Sequence, residues 1–171
     1  MIKTKYSQRK FDMNKKLNFS VLMGTLLFVF STLVSAEANV SFSKESVRTK
    51  AGNTFTLDVL MSGFSTTEGG GLDLSFDSSL LQVNSVTVDG GVWTFVNKDG
   101  DIDNAAGTVT GILFSSYQGV TGNARIATVE FKAINKGRTR IKFKESASNP
   151  FASNGQNIDV TFTPTKIRIR R

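Results

Sequence analysis

Three aspartates at alternate positions come closest to a metal-binding motif in this sequence. Asp99, Asp101 and Asp103 stand in the segment DGDIDNAAGT. Carboxylates at this spacing begin an EF-hand loop, in which hard oxygen ligands converge on calcium. The rest of that motif is missing, because Asn104 occupies the glycine position and Thr110 the position of the bidentate glutamate. The trio therefore predicts either a weak calcium site or a solvated hairpin loop.

Two aromatic residues are the candidates for contact with a carbohydrate. Sheets that bind sugars stack exposed aromatic rings on the sugar faces, and after Ala36 the sequence has one tryptophan, Trp93, and one tyrosine, Tyr117. Trp93 alternates with Phe95 in GGVWTFV, which favours core packing over a sugar platform. Tyr117 ends a predicted strand, so we expect its ring to be exposed and to be the better candidate contact.

Residues for catalysis are scarce. The chain has no histidine and no cysteine, so serine triads and zinc hydrolase sites lack their parts. A pair of carboxyl groups about 5 to 9.5 Å apart could hydrolyse a glycoside, but no spacing in the sequence selects such a pair. We therefore predict that the protein is not an enzyme.

Basic residues alternate with apolar ones near the end of the chain, and each alternating set should share one face of a strand. A face of this kind is either a solvated edge whose charges discourage aggregation or a site for an anionic partner. The basic positions are Arg138, Arg140, Lys142 and Lys144 in the first set, and Lys166, Arg168 and Arg170 in the second.

Period-two alternation of apolar residues predicts the strands that must position these side chains. Gly, Asn, Asp and Ser clusters separate the alternating runs, for example at 50–53, 89–91, 97–107 and 135–137. Residues after Ala36 show no sustained helical period. We predict an all-β fold, an antiparallel β-sandwich of roughly eight or nine strands. The runs are Phe55 to Met61, Leu72 to Phe76, Ala127 to Ala133, Ile141 to Phe143, Ile158 to Phe162 and Ile167 to Ile169.

The segment FDSSLL should end one of these strands. The side chain of Asp77 can accept the amide of Leu80 and so cap a single helical turn. The apolar positions then shift register between Val83 and Val86, which predicts a β-bulge or a crossing to the second sheet.

The first 36 residues have the pattern of a secretory signal peptide. A Lys/Arg-rich start precedes the apolar run Phe19–Leu33, and small residues at Ser35 and Ala36 mark a cleavage point. The alternative, a membrane anchor, needs about 20 apolar residues, more than this run provides. Met13 opens a complete signal peptide by itself, so translation could begin there. We predict a signal peptide over 1–36 and one domain over 37–171.

Removing 1–36 lowers the net charge of the chain from +7 to +2, since 15 Lys and Arg and 13 Asp and Glu remain. This balance argues against a nucleic-acid partner. The absence of cysteine excludes disulfides and lipid attachment through a cysteine. We expect a secreted or periplasmic protein that has no membrane association after cleavage of the signal peptide.

Four segments in order resemble the cohesin family. They are FTLDVLMSGFS, GGGLDLSFDSSLLQVNSVTV, GTVTGILFSSYQGVTG and ARIATVEFKAINKGRTRI, and the resemblance runs from about Val40 to Ile169. It implies a jelly-roll sandwich, without catalytic activity, that docks a dockerin module, often in the assembly of polysaccharide-degrading machinery. Calcium would then enter directly or through the dockerin. The alternative is a carbohydrate-binding or surface-adhesion module, since related carbohydrate-binding sandwiches share the first element.

The resemblance also implies where a partner would bind. The docking sheet would include the strand through Leu72 to Asp77 and the strand through Ile112 to Ser116. Three glycines at the start of the first strand stand where better-known cohesins have polar contact residues. They predict either a bulge at the sheet edge or a bare backbone that a partner approaches closely. The implied partner contacts are Gly69, Gly70, Gly71, Asp73, Ser75, Ser116 and Tyr117.

Overall fold

A computed structural model describes residues 38–171, and the predicted signal peptide and the alternative start at Met13 lie outside this range. Within it, no helix has the length and apolarity needed to cross a membrane. The chain forms twelve strands: β1 (Asn39–Phe42), β2 (Ser46–Lys50), β3 (Thr54–Ser75), β4 (Leu81–Val88), β5 (Val96–Lys98), β6 (Asp101–Asp103), β7 (Thr108–Ala133), β8 (Gly137–Glu145), β9 (Ala152–Ser153), β10 (Gln156–Asn157), β11 (Thr161–Thr163) and β12 (Thr165–Arg170).

Two layers make up the fold. In the first, strand pairing gives the order β11, β1, the first half of β3, the second half of β7, and β4. In the second, β5 and β6 pair with the first half of β7, which pairs with the second half of β3. Next comes β8, which pairs with β3 through its last residues and with β12 through its first; β12 in turn pairs with β2.

Strands β3 and β7 run through both layers and stay paired along most of their length. Their pairing shifts register around Phe64, where each strand must bend to enter the other layer. Gly63 and Gly122 have φ angles of 75° and 80° at this bend, a conformation that side chains other than glycine rarely adopt. The glycines therefore allow two continuous strands to serve both sheets.

The core lies between the layers and consists of the inward positions of the alternating strands. Val40, Leu57, Leu72 and Ile112 have no exposed surface and belong to one apolar cluster. Phe42 of the first layer stacks on Phe143 of the second at a centroid distance of 4.2 Å. With no disulfide available, this apolar burial stabilises the domain, at roughly 25 cal/mol per Å².

The predicted all-β sandwich is confirmed, but the strand count is twelve rather than eight or nine. Two predicted runs merge into β3, while short strands form where a turn was predicted at 97–107, which contains β6 and overlaps most of β5. The sheets are also not wholly antiparallel, because β1 pairs with β11 and β2 with β12 in parallel. These short pairs depend on partners far away in sequence, so the local pattern could not reveal them.

Two local predictions have different outcomes. The bulge predicted between Val83 and Val86 is confirmed, as the register of β4 against β7 shifts between Val83 and Ser85. The prediction that the Asp77 carboxylate accepts the Leu80 amide is wrong. The carboxylate accepts the Ser79 amide at 3.0 Å, whereas the Leu80 amide bonds to the Asp77 carbonyl oxygen. The predicted single helical turn is nevertheless present, because the Leu80 and Leu81 amides both donate to the Asp77 carbonyl oxygen, at 3.0 and 2.9 Å, and the carboxylate caps it through the Ser79 amide.

The three glycines at 69–71 are explained by close packing. A β-carbon on Gly69 would lie 2.6 Å from the Ser115 Cβ, and one on Gly71 would lie 2.8 Å from the Ser146 Cβ. The ring of Phe151 lies 3.0 Å from the position of a β-carbon on Gly70. The predicted bulge is present as a register shift between Thr67 and Gly69, but Gly69 and Gly71 are buried. The backbone is therefore not bare toward a partner.

We predict that Gly69→Ala lowers the free energy of unfolding by about 1–3 kcal/mol, because the new methyl group must push apart β3 and β7. Urea denaturation measures the change. The matched control is Gly90→Ala in an exposed turn, where only the Asn97 side-chain amide comes within 3.3 Å of the added β-carbon. A change of more than about 0.5 kcal/mol in the control, or none in Gly69→Ala, would contradict this explanation.

Candidate functional site

The outer face of the second layer contains most of the predicted contact residues. Asp73 and Ser75 point outward from β3, because they alternate with the buried Leu72 and Leu74. The Asp73 carboxylate accepts a hydrogen bond of 2.9 Å from the Gly111 amide of β7. This bond holds the side chain flat against the sheet, so one carboxylate oxygen is already engaged.

Ser116 is not on this face, and the prediction that it contacts a partner is wrong. Its exposure is 9%, and it shares the inward side of β7 with Phe114. Side chains of a strand alternate between the two faces, so Ser115 and Tyr117 point outward instead. The predicted contact, Ser116, is therefore one position away from the residues of β7 that do face outward.

Tyr117 is exposed as predicted, and it has an aromatic neighbour that the sequence pattern did not suggest. Tyr117 is 79% exposed and Phe95 is 54% exposed. Their ring centroids lie 3.9 Å apart with the ring planes inclined by 42°. The alternation of Trp93 and Phe95 suggested a shared core side, but Phe95 lies outside a strand, just before β5, so the period of two does not apply to it.

An apolar patch surrounds this aromatic pair, formed by Phe95, Val96, Leu113 and Tyr117. Val96 of β5 is opposite Ser115 of β7, and Leu113 is two residues before Ser115, so all three face outward. A shallow depression of about 370 Å³ adjoins Val96 and Leu113 and extends to Gly69 and Pro150. The patch thus combines exposed rings with a concave surface, as at the centre of many protein interfaces.

Trp93 belongs to the core, so its assignment as a possible carbohydrate contact is wrong. Its side chain has no exposed surface and packs edge-on against Phe114 at 4.6 Å. The indole Nε1 donates a hydrogen bond of 3.0 Å to the carbonyl oxygen of Arg125. Both the apolar ring and its polar atom are therefore satisfied inside the protein.

The three predicted calcium ligands each have a separate partner. Asp99 accepts the Val88 amide at 2.7 Å, and Asp101 pairs with Lys98 at 2.9 Å. Asp103 accepts two amides of the following turn. Residues 38–171 contain no group of three or more acidic residues arranged to hold a metal ion. Calcium binding by this trio stays a prediction, and it requires these contacts to break.

The alternating basic residues share one face, as the sequence predicts, and β2 enlarges it. Arg168 of β12 is in register with Arg138 of β8 on one side and Arg48 of β2 on the other. The contribution of β2 was not predicted, although its sequence SVRTK alternates in the same way. The basic face consists of Arg48, Lys50, Arg138, Arg140, Lys142, Lys144, Lys166, Arg168 and Arg170, all exposed.

Comparison with known proteins agrees with this architecture. The model of the cohesin domain matches residues 38–169, which is nearly the whole of the sandwich. The chain belongs to the cohesin family. No curated protein matches the chain, so the family assignment comes from the domain model, and solved structures support the fold.

Solved cohesin structures share the fold of this cohesin domain at low sequence identity. A non-cellulosomal cohesin from Archaeoglobus fulgidus has a TM-score of 0.65 and 14% identity, covering 80% of this chain and 93% of its own. The cohesin of the OlpC type I complex from Clostridium thermocellum has a TM-score of 0.65 and 18% identity, covering 78% and 94%. The third ScaC cohesin of Acetivibrio cellulolyticus, in complex with the ScaB dockerin, has a TM-score of 0.61 and 14% identity. This match covers 78% of this chain and 99% of its own.

The burial of Trp93 makes a direct optical prediction, because it is the chain's one tryptophan. We expect the fluorescence of the folded cohesin domain to resist quenching by acrylamide, with emission at shorter wavelength than in urea. Tyr117→Ala should leave this spectrum unchanged. Efficient quenching in the folded domain would contradict the core position of the ring.

Calcium bound by Asp99, Asp101 and Asp103 would raise the melting temperature of the domain at calcium concentrations on the order of a millimolar. Differential scanning fluorimetry measures the shift, and Asp101→Asn should abolish it because this exposed carboxylate is a predicted ligand. An equal shift with magnesium, or no shift in the unaltered domain, would contradict the prediction.

Proposed function

We propose that this cohesin domain is a non-catalytic protein-interaction module that docks a dockerin-type partner through the apolar patch and the adjoining outer surface of β3. The observation behind the proposal is the pair of exposed rings, Phe95 and Tyr117, beside the depression at Val96 and Leu113. Aromatic residues in such positions dominate the binding energy of protein interfaces.

Polar groups around the apolar patch supply the rest of a typical interface. Asp73 and Ser75 lie on the outer side of β3, while Glu68 and Asn149 border the depression. An apolar centre with a polar rim is the usual anatomy of a protein interface. Because Ser146 and Asn149 pack over Gly71, a partner would meet Asn149 and Pro150 there instead of bare backbone.

The solved relatives support a dockerin as partner. Their cohesins include those of the OlpC and ScaC complexes, each bound to a dockerin. The Archaeoglobus fulgidus relative is described as non-cellulosomal, so a cohesin fold by itself does not specify a cellulosome. We propose export of the domain, to the periplasm or the outside of the cell, from the signal-peptide pattern of 1–36. A role in polysaccharide breakdown is part of the same proposal.

The alternative, a carbohydrate-binding or surface-adhesion module, would use the same rings as a sugar platform. The rings of Phe95 and Tyr117 are inclined by 42°, so they do not form one flat surface. Trp93, the other candidate, is buried. The geometry therefore favours a protein partner over a neutral glycan at this patch.

We predict that Tyr117→Ala and Phe95→Ala each weaken dockerin binding by about 2 kcal/mol, or roughly thirtyfold, because each removes an exposed anchor ring. The partner is first selected from a display library of dockerin modules, and its affinity is then measured by calorimetry. Loss of one ring should mainly increase the dissociation rate.

Arg168→Gln is the matched control, since it changes an exposed residue of the basic face, outside the apolar patch. Its dockerin affinity should stay within about twofold of the unaltered domain, and all three variants should unfold at similar urea concentrations. The proposal fails if the library yields no dockerin, or if the selected dockerin binds Tyr117→Ala as tightly as the unaltered domain.

A further inference from the structure

We propose that the basic face binds an acidic polysaccharide, a linear glycan bearing carboxylate or sulfate groups. The first observation is the register of its strands. Arg138, Arg168 and Arg48 form one row across β8, β12 and β2. Neighbouring strands lie about 4.8 Å apart, so three guanidinium groups start from backbone positions that span about 10 Å. Arg140 and Lys166 form the next row, in register with each other.

Apart from Lys144, which is in register with Asp73 of β3, these charges have no acidic residue opposite them in the paired strands. The ion pairs of residues 38–171 involve Lys98 and Arg125, and no cation of the basic face has a carboxylate within the 4.0 Å of an ion pair. Like charges directly opposite each other on a sheet are destabilising. A bound polyanion would remove this repulsion, so binding and stability should be coupled on this face.

Protection of a sheet edge does not explain the arrangement. Charged side chains commonly prevent strands from pairing at an exposed edge, and Arg48 and Lys50 of β2 fit that role because β2 ends the strand order. However, β12 lies between β2 and β8, and β8 also pairs with β3. Lys166, Arg168 and Arg170 stand on β12, which is paired on both sides, where no edge requires protection.

The chemistry of the face favours a glycan over a protein or a single-stranded nucleic acid. The large apolar residues exposed in 38–171 are Phe95, Val96, Ile102 and Tyr117, and none belongs to β2, β8 or β12. A protein interface needs an apolar centre, and single-stranded nucleic acid needs rings on which bases stack. An acidic glycan needs only cations, and arginine binds carboxylate and sulfate groups through two parallel hydrogen bonds.

The shape of the face suits an extended chain. A shallow open concavity of about 720 Å³ is bordered by Arg48, Arg140, Lys142 and Arg168, and it continues to Ser75 at the end of β3. Since the concavity is open, a glycan of any length could lie in it and continue beyond it. The ligand would therefore be bound along its length and not at one end.

Calorimetry with a decameric oligogalacturonate, and separately with sulfated dextran, tests the proposal and identifies the anionic group. We expect binding that weakens steeply with added salt. Arg168→Gln should weaken it about tenfold, as expected for loss of a charge-assisted bond. The matched control is Lys132→Gln, which removes one exposed charge from β7 in the first layer and should change the affinity by less than about twofold. The neutral glycan cellohexaose should not bind.

Several results would overturn the proposal. They are no binding of either acidic glycan at low salt, equal losses in Arg168→Gln and Lys132→Gln, and tighter binding of poly-glutamate or duplex DNA than of both glycans. Salt-sensitive self-association in sedimentation, lost in Arg168→Gln, would instead assign the face to a second copy of the chain. The test is independent of the proposed function, because Tyr117→Ala should retain full glycan binding.

Discussion

Continuous pairing of β3 with β7 is the constraint on which the rest of the structure depends. Both strands pass from one layer to the other while remaining partners, so the two sheets cannot shift independently. Every other strand but β2, β10, β11 and β12 pairs directly with β3 or β7. The bend at Gly63 and Gly122 therefore sets the relative position of the layers and, through it, which residues of β3 and β7 share the outer face.

The second layer presents two surfaces of different chemistry. Near β5, exposed rings and aliphatic side chains surround a depression, while β8, β12 and β2 present cations without exposed large apolar residues. The near-neutral net charge of the domain conceals this separation, because Asp99, Asp101 and Asp103 lie on the side of β5 and β6. The two surfaces meet along β3, because Asp73 and Ser75 are in register with Lys144 and Lys142 of β8, so a protein partner and a polyanion would share this boundary.

The sequence determined the class of fold and the family, since alternation and turn composition survive where individual residues do not. At identities of 14% to 18% the solved relatives keep the sandwich, because burial requires only an apolar residue at each inward position. The exposure of Tyr117 and the shared face of the basic residues on β8 and β12 also followed from the local pattern. The number of strands did not follow from the local pattern, because the short strands form by pairing with segments that are distant in sequence.

Which side chains meet was decided by the tertiary structure. Ser116 was assigned to the wrong face because a shift of one residue along a strand exchanges inside and outside. The pairing of Phe95 with Tyr117, and of Arg48 with Arg168, joins residues that are distant in sequence. The glycines at 69–71 also illustrate what the sequence shows and what only the tertiary structure explains. Their lack of side chains was evident in the sequence, but only the packing of Ser115, Ser146 and Phe151 against them explains it.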